Sequence, residues 1–154
     1  MAPGDLLRPL EGQREETLRL LAELAEGDLE KVDPENGWTV RQHLAHIAAS
    51  ERCEASVIRR AAEGEIVHMT REDRDQLDQS EVEKAAEWSA EQLSQKLEEA
   101  RNELRVVFDA LTEEDLDRTI RWPDWPARTI RTTIPYMLEH EDSHCDLIRK
   151  ALDR

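Results

Sequence analysis

Four stretches of this chain repeat apolar residues at three- and four-residue spacing, a periodicity that admits helices packed face to face and little else. The first runs from about Gln13 to Ala25, with Leu18, Leu21 and Ala25 on one face and Leu20 and Leu24 beside it. Gly12 is its expected cap and Gly27 its stop. The second opens after Trp38, where Thr39 can cap the free amides, and continues to about Glu63 along Val40, Leu44, Ile47, Ala55, Ile58 and Ala62. The third starts at Ser89, whose pairing with Gln92 forms a capping box, and carries Leu93, Leu97, Ala100, Leu104, Val107, Phe108 and Leu111. The fourth runs from near Thr129 to about Leu152 through Ile130, Ile134, Met137, Leu138, Cys145, Ile148 and Leu152. Pro135 lies inside it and predicts a bend or a loosened turn. Five glycines in 154 residues agree with an all-α chain, and that length suits one domain with a single core, spanning residues 1–154.

The connections constrain how four helices are arranged. About 25 residues separate the second helix from the third, far more than an antiparallel turn needs. That length permits an overhand crossover, which leaves the second and third helices parallel. The acidic stretch Glu81 to Trp88 predicts a short helix within it, and the segment Arg121 to Pro126 reads as a Trp/Pro loop. Thr39-Val40-Arg41 and Thr129-Ile130-Arg131 open the second and fourth helices alike, a weak echo that pairs them.

Charge narrows the function. Thirty-six acidic residues against 21 basic ones give a formal charge of −15. Such a field repels phosphate backbones and anionic membrane surfaces, so no nucleic-acid or membrane partner is expected. No apolar run approaches the ~18 residues that span a bilayer, and the N-terminus lacks a signal-peptide pattern, so a soluble cytoplasmic protein is expected. Cys53 and Cys145 make no disulfide framework; Cys53 reads as a small buried or boundary residue, and Cys145, about 100° round the helix from His144, is not expected to share a metal with it.

Histidines carry the chemistry. His140 and His144 are four apart on the fourth helix, where side chains at that spacing share a face, and His46 lies early in the second. At 1.5 Å per residue, antiparallel packing of these helices brings the two sets within about 5 Å along the axis, and parallel packing leaves about 9 Å. Three imidazoles meeting there fit a divalent metal ion with one coordination position open. His140-Glu141-Asp142-Ser143-His144 also matches the H-E-x-x-H pattern of zinc peptidases. With ten residues after His144 there is no room for the later ligand that pattern requires, and peptidase activity is not expected.

Glu51 and Glu141 fall on apolar stripes, where carboxylates are costly unless paired. Either could orient an imidazole or accept a proton, with Glu141 the candidate catalytic residue; an interhelical ion pair with an arginine is the favoured alternative. His43 is expected to be a core histidine with a satisfied hydrogen bond, a role behind a ligand or as a ligand being the alternatives. His68 reads as an exposed loop residue, and Trp122 and Trp125 as side chains packed over one end of the bundle, with a wall at the entrance to the cleft as the alternative.

Gly37-Trp38-Thr39-Val40-Arg41-Gln42 leading to Leu44-Ala45-His46-Ile47, with His140-x-x-x-His144 at the far end, resembles the DinB/YfiT-like superfamily. The segment Leu111 to Asp117 is similar to the one after that family's third helix. The order and spacing of these pieces, not any one of them, carry the resemblance across nearly the whole chain. It implies a four-helix bundle of up-down-down-up topology and a divalent metal, often zinc or nickel, held by His46, His140 and His144. Relatives include transferases and isomerases that use a low-molecular-weight thiol as cosubstrate. His43 departs from the pattern, which is usually aliphatic there. The implied activity is a metal-dependent thiol S-transferase acting on a small-molecule substrate. Metal-assisted hydrolysis, a non-catalytic metal-binding protein and a helical interaction module are the competing readings, and a homodimer is compatible with each.

Overall fold

A computed structural model describes residues 2–154 and is built from five α-helices with one short hairpin. Helix α1 spans Arg8–Ala22, α2 Val40–Ala62, α3 Arg71–Lys84, α4 Ala90–Asp109 and α5 Ile130–Ala151. Strands β1 (Thr119–Trp122) and β2 (Trp125–Thr129) pair antiparallel just before α5. The chain is all-α in class, as its periodicity predicts, and α1, α2, α4 and α5 are the four striped segments.

Capping sets where four of these helices begin, Thr70 accepting Asp73 N–H at the start of α3. Thr39, Ser89 and Thr129 each accept the backbone N–H three residues on, from Gln42, Gln92 and Thr132. The echo between the second and fourth striped segments is thus a shared N-cap. Helix α5 continues unbroken through Pro135; the hydroxyl of Thr133, just before it, donates to Thr129 O at 3.3 Å.

Three boundaries differ from expectation. Helix α1 starts at Arg8, after a 3₁₀ turn over Pro3–Leu7, and Gly12 lies inside it. Burial of Leu7 and Leu10 outweighs the roughly 1 kcal/mol that an interior glycine costs. The crossover helix is α3, beginning ten residues earlier than the acidic stretch and ending at Lys84. The Trp/Pro segment folds as the β1–β2 hairpin, because Ile120 and Trp122 point to one face and are both buried.

Helix direction follows from paired contacts. Arg41 at the start of α2 donates to Trp88 O just before α4, and Arg52, further along α2, pairs with Glu103, further along α4. These two helices therefore advance together. His43 meets His144 while His46 meets His140, so α5 runs against α2.

The core is split in two. Leu10, Ile58, Leu104, Phe108, Ile130 and Ile134 pack at one end with the hairpin, and Leu21, Leu44, Leu93, Leu97 and Ile148 at the other. Between them lie four buried charges, one from each long helix: Arg14, Glu51, Arg101 and Glu141. Arg14 donates to Glu141 Oε1 at 2.8 Å, to Glu51 Oε1 at 3.0 Å and to Leu97 O at 2.8 Å. Arg101 donates to both Glu51 oxygens, at 2.9 and 3.2 Å.

Candidate metal centre

His46 faces α5 from the second turn of α2, while the four-residue spacing of His140 and His144 turns both rings back toward α2. One ligand nitrogen from each of the three lies within 4.8 Å of the others. The Nε2 atoms of His46 and His140 are 3.2 Å apart, and the His144 ring centroid is 4.7 Å from that of His46 and 4.6 Å from that of His140. Among the described residues, His46 Nδ1 is buried without a hydrogen-bond partner.

Burial keeps these rings neutral. Loss of solvent pushes His46 down to about 3, helped by the neighbouring His144, Arg74 and His43. His144 is likewise lowered to about 3, and His140 to about 4, with burial the largest cause in both. A metal ligand must be a neutral imidazole, and here desolvation supplies that state.

Behind His144 stand two residues of the α1–α2 connection and α2. His43 is fully buried, with Nδ1 2.8 Å from His144 Nδ1 and Nε2 2.7 Å from Asp33 Oδ2. Asp33 also accepts the amides of Glu35, Asn36 and Trp38. Burial alone would raise this carboxyl; the Asn36 amide, the His43 ring and the Trp38 and Glu35 amides outweigh it and hold it at about 2. The turn so closed needs a left-handed backbone at Gly37, φ 74°, and delivers Trp38 over the rings, with centroids 5.3 Å from His43, 5.3 Å from His46 and 6.0 Å from His144.

Beside His46 a cleft of about 560 Å³ opens between α2 and α3, lined by Trp38, Gln42, Asp75, Asp78, Gln79 and Val82. Arg74 on α3 is buried beneath it, donating to Ser50 at 2.8 Å and pairing with Glu54 and Asp78.

The other sequence candidates are placed as follows. Glu51 and Glu141 take the ion-pair role with Arg14 and Arg101 described above. Glu141 Oε2 is left buried without a partner among the described residues, beside a cavity of about 20 Å³ shared with Ser50 and His140. Burial raises the Glu141 carboxyl above its ordinary value, against the pull of Arg14. His43 is the satisfied core histidine expected of it. His68 is exposed, and Trp122 packs on Trp125 at 4.6 Å between centroids. Cys145 is buried against Thr17, with Oγ1 3.2 Å from its sulfur, and Cys53 against Met69. Asp33 and Arg74 were not singled out from sequence. For Asp33 a signal exists: Asp33-Pro34-Glu35-Asn36-Gly37 is a turn sequence in which an aspartate caps its own loop.

Four long helices with three facing imidazoles at a cleft define a helical-bundle protein with a histidine cluster. The DinB superfamily model matches residues 10–148, and the chain belongs to that superfamily. Among solved structures, the mycothiol-dependent maleylpyruvate isomerase superposes with a TM-score of 0.77 at 15% identity, covering 96% of this chain and 61% of its own. This chain thus spans about three fifths of that isomerase's length. An uncharacterized protein from Clostridium difficile 630 superposes with a TM-score of 0.78 at 17% identity, covering 97% of this chain and 95% of its own. No curated protein matches the sequence. Among the described residues, no helix is long and apolar enough to cross a membrane.

Proposed function

We propose that His46, His140 and His144 hold a divalent metal ion, zinc or nickel, and that the protein is a thiol-dependent S-transferase or isomerase acting on a small molecule. One observation carries this reading: three imidazoles, neutral through burial, converge beside a cleft large enough for a ligand. The donor set fits such an ion. The partnerless Nδ1 of His46 leaves that ring free to turn its other nitrogen inward, and His144, whose Nδ1 faces His43, has Nε2 left for the shared point. A bound divalent ion supplies Lewis acidity, lowering the proton affinity of a thiol or water placed beside it.

The remaining work falls to the chain. Trp38 covers one side of the cluster and excludes water from the rings. Gln42, Gln79, Asp75 and Asp78 offer the polar contacts that orient a bound molecule in the cleft. Glu141 is the proton acceptor in this reading, through the Oε2 that Arg14 does not engage. The thiol belongs to the proposal because the isomerase that superposes on this chain uses mycothiol. A hydrolase would use the same cluster and cleft with water in place of the thiol.

Elemental analysis of protein purified without a histidine tag or chelator, beside His140→Ala, tests the metal. About one ion per chain, lost in the variant, is the expected result. Thiol-transfer assays with several low-molecular-weight thiols then separate transferase from hydrolase. Absence of bound zinc or nickel in the unaltered chain, even after incubation with each, overturns the reading.

A further inference from the structure

Asp33 and His43 have no place among the three facing imidazoles, yet both are buried and their contacts end on one of them. We propose that Asp33 and His43 are positioning residues that lock the tautomer of His144, keeping its proton on Nδ1 and its Nε2 lone pair turned toward His46 and His140; this rests on the metal reading of those three histidines.

The proton positions follow one another along the chain of contacts. Asp33 collects amide N–H groups from Glu35, Asn36 and Trp38, an arrangement that suits an ionised carboxylate. An ionised carboxylate only accepts, so the His43 Nε2 lying 2.7 Å away carries a hydrogen and donates it. Neutral His43 then has its lone pair on Nδ1. That atom faces His144 Nδ1 at 2.8 Å, so His144 Nδ1 carries the hydrogen in this contact. What remains on neutral His144 is a lone pair on Nε2. A doubly protonated His43 would reverse the last step, but the ring is fully enclosed and meets its carboxylate only through Nε2, so one N–H satisfies that contact.

Packing alone does not explain the pair. A leucine would fill a fully buried site under Trp38 without taking a carboxylate out of water. Both Asp33 oxygens are engaged by backbone amides, so Asp33→Asn must turn its NH₂ toward one set of donors. Each oxygen has two partners, but on the side of Trp38 and His43 only the Trp38 amide is lost, because His43 can move its proton and accept from the NH₂ at Nε2. The proton on His43 then moves to Nδ1, and the one on His144 to Nε2.

The first measurement is the histidine ¹⁵N spectrum of the metal-free, unaltered chain, in which long-range couplings report each tautomer. The expected result is Nε2–H for His43 and Nδ1–H for His144. Zinc affinity is then compared in His43→Leu and His43→Asn. The leucine removes the acceptor, and affinity is expected to fall about 10–100-fold. The asparagine can return an acceptor oxygen to His144, and it is expected to recover most of that loss. A filler role predicts the opposite order, with leucine the better replacement. Nε2–H on His144 in the unaltered chain, or equal zinc affinity in the two variants and the unaltered chain, overturns the proposal. An unaltered chain that binds neither zinc nor nickel, yet shows Nδ1–H on His144, overturns the metal reading and leaves the tautomer lock standing.

Discussion

Replacing Arg14 by leucine tests what the charged layer between the two halves of the core contributes. Arg14 and Arg101 balance Glu51 and Glu141, so the layer carries no net charge; Arg14→Leu leaves it one negative charge in excess. The two carboxylates do not suffer equally. Glu51 keeps both contacts from Arg101, at 2.9 and 3.2 Å. Glu141 loses its 2.8 Å partner, and its Oε2 already has none among the described residues. Stranding one buried charge in this way costs about 3–5 kcal/mol, a large share of the roughly 5–15 kcal/mol that holds a domain together. At roughly 2–4 °C per kcal/mol for a chain of this size, the midpoint falls by about 6–20 °C.

Urea and thermal unfolding of metal-free protein, variant beside unaltered chain at each pH, measures this. The deficit has a pH signature. Burial already raises Glu141 above its ordinary value, and loss of Arg14 raises it further. The folded variant therefore takes up a proton at a pH where the unfolded chain does not. Its deficit is full above the folded pKa and shrinks as pH falls through it. Adding Glu141→Leu to Arg14→Leu removes the stranded charge and restores most of the stability at pH 7. A loss below about 1 kcal/mol at pH 7, or one that does not shrink as pH is lowered, refutes the assignment of this layer as a paired charge network.

Further outcomes follow from other parts of the structure. The metal-free chain is expected to lose stability as pH falls below about 6.5, the unfolded histidine value. His46, His140 and His144 stay neutral in the fold until about 3, 4 and 3, so the unfolded chain binds protons that the folded one refuses; chemical denaturation at pH 7.5, 6 and 5 reads the slope. Thr39→Ala removes the cap that accepts Gln42 N–H, and unfolding should show a loss of about 1 kcal/mol. Gly37→Ala places a side chain at φ 74°, and a lowered midpoint together with altered Trp38 fluorescence is expected, since that turn carries the indole.

The striped helices were legible because each buries a face. Leu44, Ile58, Leu93, Leu104, Phe108 and Ile148 recur at helical spacing, and all are buried to within 1% of full enclosure. The same spacing put His140 beside His144 and, with the antiparallel register, beside His46. Helix α3 was misplaced for the converse reason. Across Arg71–Lys84 the apolar residues are Leu77 and Val82, too few for a stripe, and its real marker is the Thr70 cap accepting Asp73 N–H. Asp33 escaped because its role depends on a turn that folds back on α2, ten residues away from His43 in sequence. The hairpin was hidden by its prolines, which read as loop although Pro126 sits on a two-stranded ribbon where an unpaired amide position is tolerated.

The division of labour around the cleft has a further consequence. His46 and His140 stand on helices whose opposite faces are packed into the core, so a change at that wall disturbs folding. Asp75, Asp78, Gln79 and Val82 stand on α3, which contributes Arg74 and little else to the buried interior. One wall of the cleft is therefore fixed by the requirements of folding, and the other is nearly free of them. Under the proposed function, substitutions along α3 would change the size and polarity of the molecule admitted while the imidazoles stay where they are. On that reading, a new specificity requires rewriting only a single helix.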